Sequence, residues 1–202
     1  MRRLVLPLAV LLVLSWAAPP ALARAASDAQ KQEEAKKPGA APHREELDRL
    51  YEALRKAPDE AEAEAIEQRI WTLWSHSGNP RVDRLLDEGT AAMAAGDLDT
   101  ARARFNMVVA MAPGFAEGWN QRATLFYLAG EHKKAREDIA RVIAIEPRHF
   151  GALSGLALVC RAEGDEKGEL DALRKAVAVD RFLPGARERI EELAEKLEGQ
   201  GI

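Results

Sequence analysis

One cysteine and four histidines are the side chains here best suited to nucleophilic or metal chemistry. A reactive thiol needs an exposed, electropositive setting. Cys160 instead stands 34 residues after Phe126, in the same local pattern, so a buried and inert thiol is expected. A lone cysteine also rules out an internal disulfide. His43, His76, His132 and His149 are scattered, with no second His or Cys at the helical spacing of a metal-binding helix. No glycine-rich phosphate loop occurs, and carboxylate pairs such as Glu191-Glu192 fall on polar helix faces. Trp71 and Trp74 lie three apart, on one face of a helix. They could stack on a ligand, but Trp74 continues an apolar stripe, so packing against the first repeating unit, residues 82–115, is expected. No catalytic residue, cofactor or metal is expected, and the chain does not read as an enzyme.

What must position these residues is a set of helices. Ala116 to His149 reads as two helices joined by a turn at Gly130-Glu131 and closed by Pro147. Trp119, Arg122, Ala123 and Phe126 recur at i, i+3, i+4 and i+7, as do Ala135, Ile139, Val142 and Ile143 further on. Neither helix can bury its stripe alone, so the unit needs neighbours.

The neighbours recur at a period of 34 residues. Leu85, Gly89, Gly96, Ala101, Phe105, Val108 and Pro113 stand where the central unit has Trp119, Ala123, Gly130, Ala135, Ile139, Val142 and Pro147. The third copy offers Leu153, Ala157, Gly164, Leu173 and Ala176. Small residues at the eighth position, Gly at the fifteenth and Pro at the thirty-second resemble the tetratricopeptide repeat. The resemblance covers 102 of the 202 residues and implies an all-α fold, a right-handed superhelical stack of helical hairpins (an α-solenoid). The repeats are residues 82–115, 116–149 and 150–183. The third departs at Glu169, where a small residue should stand, and at Arg181 in place of the proline. Its second helix is therefore expected to be rotated or less tightly docked.

The rest of the chain flanks the stack. Residues 1–23 read as a signal peptide: Arg2 and Arg3, an apolar run from Leu4 to Trp16, then Ala21-Leu22-Ala23 as a small-x-small cleavage site. The run falls short of the about 20 residues that span a bilayer. Cleavage would leave 27 basic against 33 acidic residues with no basic face, a poor match to nucleic acid or anionic membrane. Residues 24–43 lack large apolar side chains and read as a disordered linker. Residues 44–80 read as a divergent N-terminal hairpin that covers the first repeat. Residues 184–202 read as a capping helix and tail, with Ile190, Leu193 and Leu197 turned inward.

The resemblance also implies where a partner sits. In this family the second, fifth, ninth and twelfth positions of each repeat line a concave groove. Here these are Asp83, Leu86, Thr90 and Met93, then Glu117, Asn120, Thr124 and Tyr127, then Gly151, Ser154, Leu158 and Arg161. The mixture suits an extended or helical peptide, with Asn120 bonding peptide backbone and Tyr127 giving a flat amphipathic contact. One subgroup of the family grips a chaperone's C-terminal carboxylate with Lys and Asn on its first helices. Leu86 and Thr90 stand at those positions, and Gly151 and Gly155 at the third-helix ones, so that clamp is absent. The expectation is an exported, periplasmic bacterial adaptor that binds a protein or peptide. The alternatives are a membrane-tethered assembly factor or chaperone that keeps its signal, and a metal-binding or enzymatic domain using His132, His149 or Cys160.

Overall fold

Helix ends in this chain are written by side chains that reach back to free backbone N–H groups. Asp59 accepts from the Glu62 N–H at 3.0 Å, Asn79 from Arg81 at 3.0 Å, Asp97 from Thr100 at 3.0 Å and Asp165 from Gly168 at 2.9 Å. Inside each repeat the turn falls on Gly96, Gly130 or Gly164, with φ of +80°, +73° and +74°. A Cβ is disfavoured in that left-handed conformation, which accounts for glycine at the fifteenth position.

The computed structural model describes residues 40–199. The predicted signal peptide, residues 24–39 of the predicted linker, and residues 200–202 lie outside the described residues. Among the described residues there are nine helices and no strand. They are α1 (Ala40–Lys56), α2 (Glu60–Trp74), α3 (Pro80–Ala94), α4 (Leu98–Met111), α5 (Ala116–Leu128), α6 (His132–Ile145), α7 (Phe150–Glu163), α8 (Glu166–Val179) and α9 (Ala186–Gly199). Helix α1 begins four residues before the predicted start of order at Arg44.

The pairs α3–α4, α5–α6 and α7–α8 are antiparallel hairpins, and α4 packs on α5, α6 on α7 and α8 on α9. Each junction has its own apolar cluster. Val82, Leu85, Ala101, Phe105 and Val108 join Leu125 of the next hairpin. Ala123, Phe126, Ala135, Ile139 and Val142 join Ala152 and Val159. Ala157, Leu170, Ala172 and Leu173 join Ala186 and Leu193 of α9. Small residues at the eighth position have a direct cause at Gly89, where a Cβ would lie 2.5 Å from Phe105 Cε1.

The third repeat is not loosened by Glu169, contrary to expectation. This carboxylate is fully buried and accepts from Arg189 Nε at 2.8 Å, Arg189 Nη2 at 2.9 Å and Arg161 Nε at 2.7 Å. The Arg189 guanidinium, seconded by Arg161, holds its carboxyl below the usual carboxylate range. A charge that is paired and fully hydrogen-bonded tolerates burial.

The larger departure concerns the first hairpin, α1–α2. It was expected to cover the first repeat, yet its apolar face packs on the third. Leu47, Leu50, Tyr51, Leu54, Ile66, Ile70 and Trp74 form one cluster with Phe150, joined by Trp71, Val179, Phe182 and Leu183. Arg148 bridges to Asp48 at 2.7 Å and lies 4.1 Å from the Tyr51 ring centre. Arg181, in the place of the missing proline, donates to the Ala57 carbonyl.

Candidate partner-binding groove

The A helices of the three repeats, α3, α5 and α7, lie side by side, and the predicted groove residues form four rows across them. The lowest row is Asp83, Glu117 and Gly151. All three are engaged by the chain's own first hairpin or by residues it covers. Asp83 accepts from the Ser77 N–H at 2.8 Å and the Ser77 hydroxyl at 2.5 Å, just past the end of α2. At Gly151 an added Cβ would lie 2.5 Å from Trp71 Cη2.

Glu117, 2% exposed, is reached through His149, which is fully buried. The His149 Nδ1 caps α7 by accepting from the Ala152 N–H at 3.1 Å, so the ring proton is assigned to Nε2. Nε2 then donates to Glu117 Oε2 at 3.2 Å. Asn120 Nδ2 donates to the same oxygen at 3.1 Å, and Gln121 Nε2 to the other at 2.6 Å. Trp74 lies flat on the imidazole, ring centres 3.7 Å apart and planes 7° from parallel. Trp71 meets His149 and Phe150 edge-on. This is a packed aromatic cluster at the third repeat, so the expectation that the tryptophans pack on the first repeat is corrected.

In the second row, Leu86 and Asn120 are buried and Ser154 is half-buried. Leu86 belongs to the first repeat's core, and Asn120 is spent on Glu117 rather than held out toward peptide backbone. Above them the groove opens. Thr90 and Thr124 are exposed, their hydroxyls donating back to Leu86 and Asn120 carbonyls at 2.9 and 3.0 Å. Their methyl groups and acceptor lone pairs stay available. Leu158 is 41% exposed. Tyr127 is half-buried beside the His132 ring, and Met93 half-buried against the first repeat's core. Arg161 is exposed but committed to Glu169, so it is not a free cation.

Cys160 is buried, its thiol pushed up by that burial despite the Arg136 guanidinium at 3.5 Å. Among the described residues no three His, Cys, Asp or Glu side chains gather as a metal site. No described helix is long and apolar enough to cross a membrane. The residues that sequence reasoning missed are His149, Ser77 and the two tryptophans as occupants of the groove's base. His149 had one local signal, its place immediately before a helix, where an Nδ1 acceptor serves as a cap.

No family model matches the sequence. Over 156 residues, 77% of this chain, it is 33% identical to a TPR repeat-containing protein of Rhizobium etli, of which it covers 76%. It is 29% identical over 156 residues to a heat-shock protein cognate co-chaperone of Aspergillus fumigatus, covering 71% of this chain but only 46% of that one. Among solved structures, the Sgt2 TPR domain of Aspergillus fumigatus superposes with a TM-score of 0.56 at 26% identity, covering 61% of this chain and 83% of that one.

Proposed function

Since this chain belongs to the tetratricopeptide repeat proteins, whose stacked hairpins offer extended surfaces to other proteins, we propose that it is a non-enzymatic adaptor of the bacterial cell envelope. It holds a peptide or helix of a partner protein across the open rows of its groove. The observation that carries this reading is the gradient of exposure along the A helices. The lower rows are filled, while Thr90, Thr124, Tyr127, Leu158 and their neighbours offer apolar and amphipathic area to a ligand.

The fungal co-chaperone relative does not lend this chain its partner. Leu86 and Thr90 stand where a carboxylate clamp needs Lys and Asn, and Leu86 is buried. An envelope location is supported by the N-terminal pattern of Arg2, Arg3, the apolar run and Ala21-Leu22-Ala23. N-terminal sequencing of the protein from the envelope fraction should find a chain that starts at Arg24; an intact Met1 would point to a membrane-tethered form instead.

The groove is tested by in-envelope crosslinking. Tyr127→Ala and Leu158→Ala should each leave the fold intact, as circular dichroism would check. Each should lower partner capture by about tenfold, the effect of losing one well-buried contact residue. Full capture by both variants removes the groove from consideration.

A further inference from the structure

The α1–α2 hairpin sits on the base of the groove without the polar completeness of the other junctions. At this one junction, among the described residues, three buried side-chain polar atoms lack a protein hydrogen-bond partner. They are the Tyr51 hydroxyl, the Trp74 indole nitrogen and Asp180 Oδ2. The first two lie close to each other without completing a bond. Asp180 turns toward another carboxyl, that of Glu67 on α2. Each such atom regains its hydrogen bonds in water, so opening this junction recovers free energy that opening a satisfied junction does not. The link to the first repeat is correspondingly slight. Residues 75–79 connect α2 to α3, with Gly78 at φ +78° and Asn79 in extended backbone, and the bonds from Ser77 to Asp83 span the turn.

We propose that the α1–α2 hairpin is a displaceable internal occupant of the groove. It swings away as a unit on its residue 75–79 hinge and uncovers Gly151 and the His149–Glu117 pair behind it for an incoming partner. This rests on the groove reading above and adds to it the chain's own control of how much groove is open. Gly151 is a point of close approach between the two bodies, since a Cβ there would lie 2.5 Å from Trp71 Cη2. Gly151 also lies inside α7, where alanine is the better helix former. Gly151→Ala therefore acts with opposite signs on the two bodies, wedging the hairpin off while favouring α7 itself.

Hydrogen exchange of the full chain, followed by mass spectrometry, reads both. In the unsubstituted protein, amides of α1 and α2 should exchange as a block, at least tenfold faster than those of α5, α6 and α8. In Gly151→Ala the hairpin block should exchange about another tenfold faster, with the α5, α6 and α8 amides unchanged. Exchange of α1–α2 together with the repeats, only on global unfolding, overturns the proposal. A hairpin rate unmoved by Gly151→Ala overturns it equally. The experiment needs no partner, so its failure is separable from that of the groove. A hairpin that does not open beside a Tyr127-dependent capture would leave an adaptor with a permanently filled base row.

Discussion

Two bodies cover the third repeat, and they are held by different physics. Helix α9 combines a modest apolar contact with a complete polar one. Leu193 is fully buried against Ala157, Leu170 and Leu173, while Glu169 takes three N–H donors from Arg161 and Arg189. The α1–α2 hairpin does the reverse. It brings an extensive aromatic and aliphatic face, with Trp74 flat on His149 and Trp71 across Gly151, and leaves three buried polar atoms without partners. Apolar area attracts without direction, whereas a bidentate Arg–carboxylate pair demands one geometry. One cover is thus an integral part of the stack and the other a separable body resting on it.

The sharpest way to break this comparison is to truncate one large side chain in each cover. Trp74→Ala should remove about 3–5 kcal/mol from the docking of the hairpin, and Leu193→Ala about 2–5 kcal/mol from the stack. The expected signatures differ more than the magnitudes. In denaturant titrations Trp74→Ala should produce an early partial transition confined to α1–α2, followed by a main transition near its original midpoint. Leu193→Ala should shift the main transition itself. Identical single transitions in both variants would mean that the covers are equivalent.

The next effect is smaller. Removal of one member of a buried ion pair costs about 3–5 kcal/mol, but the partners of Glu169 are themselves 31% and 50% exposed at their side chains. Solvent reaches the orphaned guanidinium groups, so Glu169→Ala should cost only about 2 kcal/mol. The loss should appear in the main transition, with α9 exchanging faster. A variant whose α9 exchanges at the original rate would show that Leu193 alone holds the helix.

The repeat itself was legible because its information is local and periodic. Gly96, Gly130 and Gly164 each take the left-handed conformation their spacing predicted, and Gly89 faces Phe105 as a small eighth residue should. The hairpin's true seat was not legible. The stripe of Ile66, Ile70 and Trp74 tells which side of α2 seeks burial but not what will bury it, and Trp74 meets a histidine 75 residues away. Glu169 misled for the same reason. A large acid in a small residue's place reads as disruption until Arg189, 20 residues on, is found to complete it. In the groove, Glu117, Asn120 and Leu86 occupy the positions the repeat pattern gives them. Their burial, however, comes from hydrogen bonds and packing that no repeat position encodes.

The smallest expected effect separates the covers by sign. Burial, with the Asp180 carboxyl behind it and Glu64 and Glu60 adding to it, pushes the Glu67 carboxyl up to about 7. A carboxyl raised on folding binds its proton more tightly in the folded state. Its contribution is therefore fully present below the unfolded value and is lost as pH rises through about 7. Glu169, held low by Arg189 and Arg161, behaves oppositely: its contribution is present above the unfolded value and is lost only as pH falls below it. Between pH 5 and 8 Glu169 thus stays ionised while Glu67 titrates. Over that range the hairpin should undock more readily at the higher pH, by less than about 1 kcal/mol once solvent screening of this half-buried group is counted. Glu67→Gln keeps the shape and removes the charge. It should flatten the contribution of this pair to the pH dependence of hairpin exchange, slow that exchange at pH 8, and leave α9 untouched. A hairpin equally tight at both pH values, with or without Glu67, would mean that the charge on Glu67 does not act on the docked hairpin and that aromatic packing alone decides how long the base of the groove stays filled.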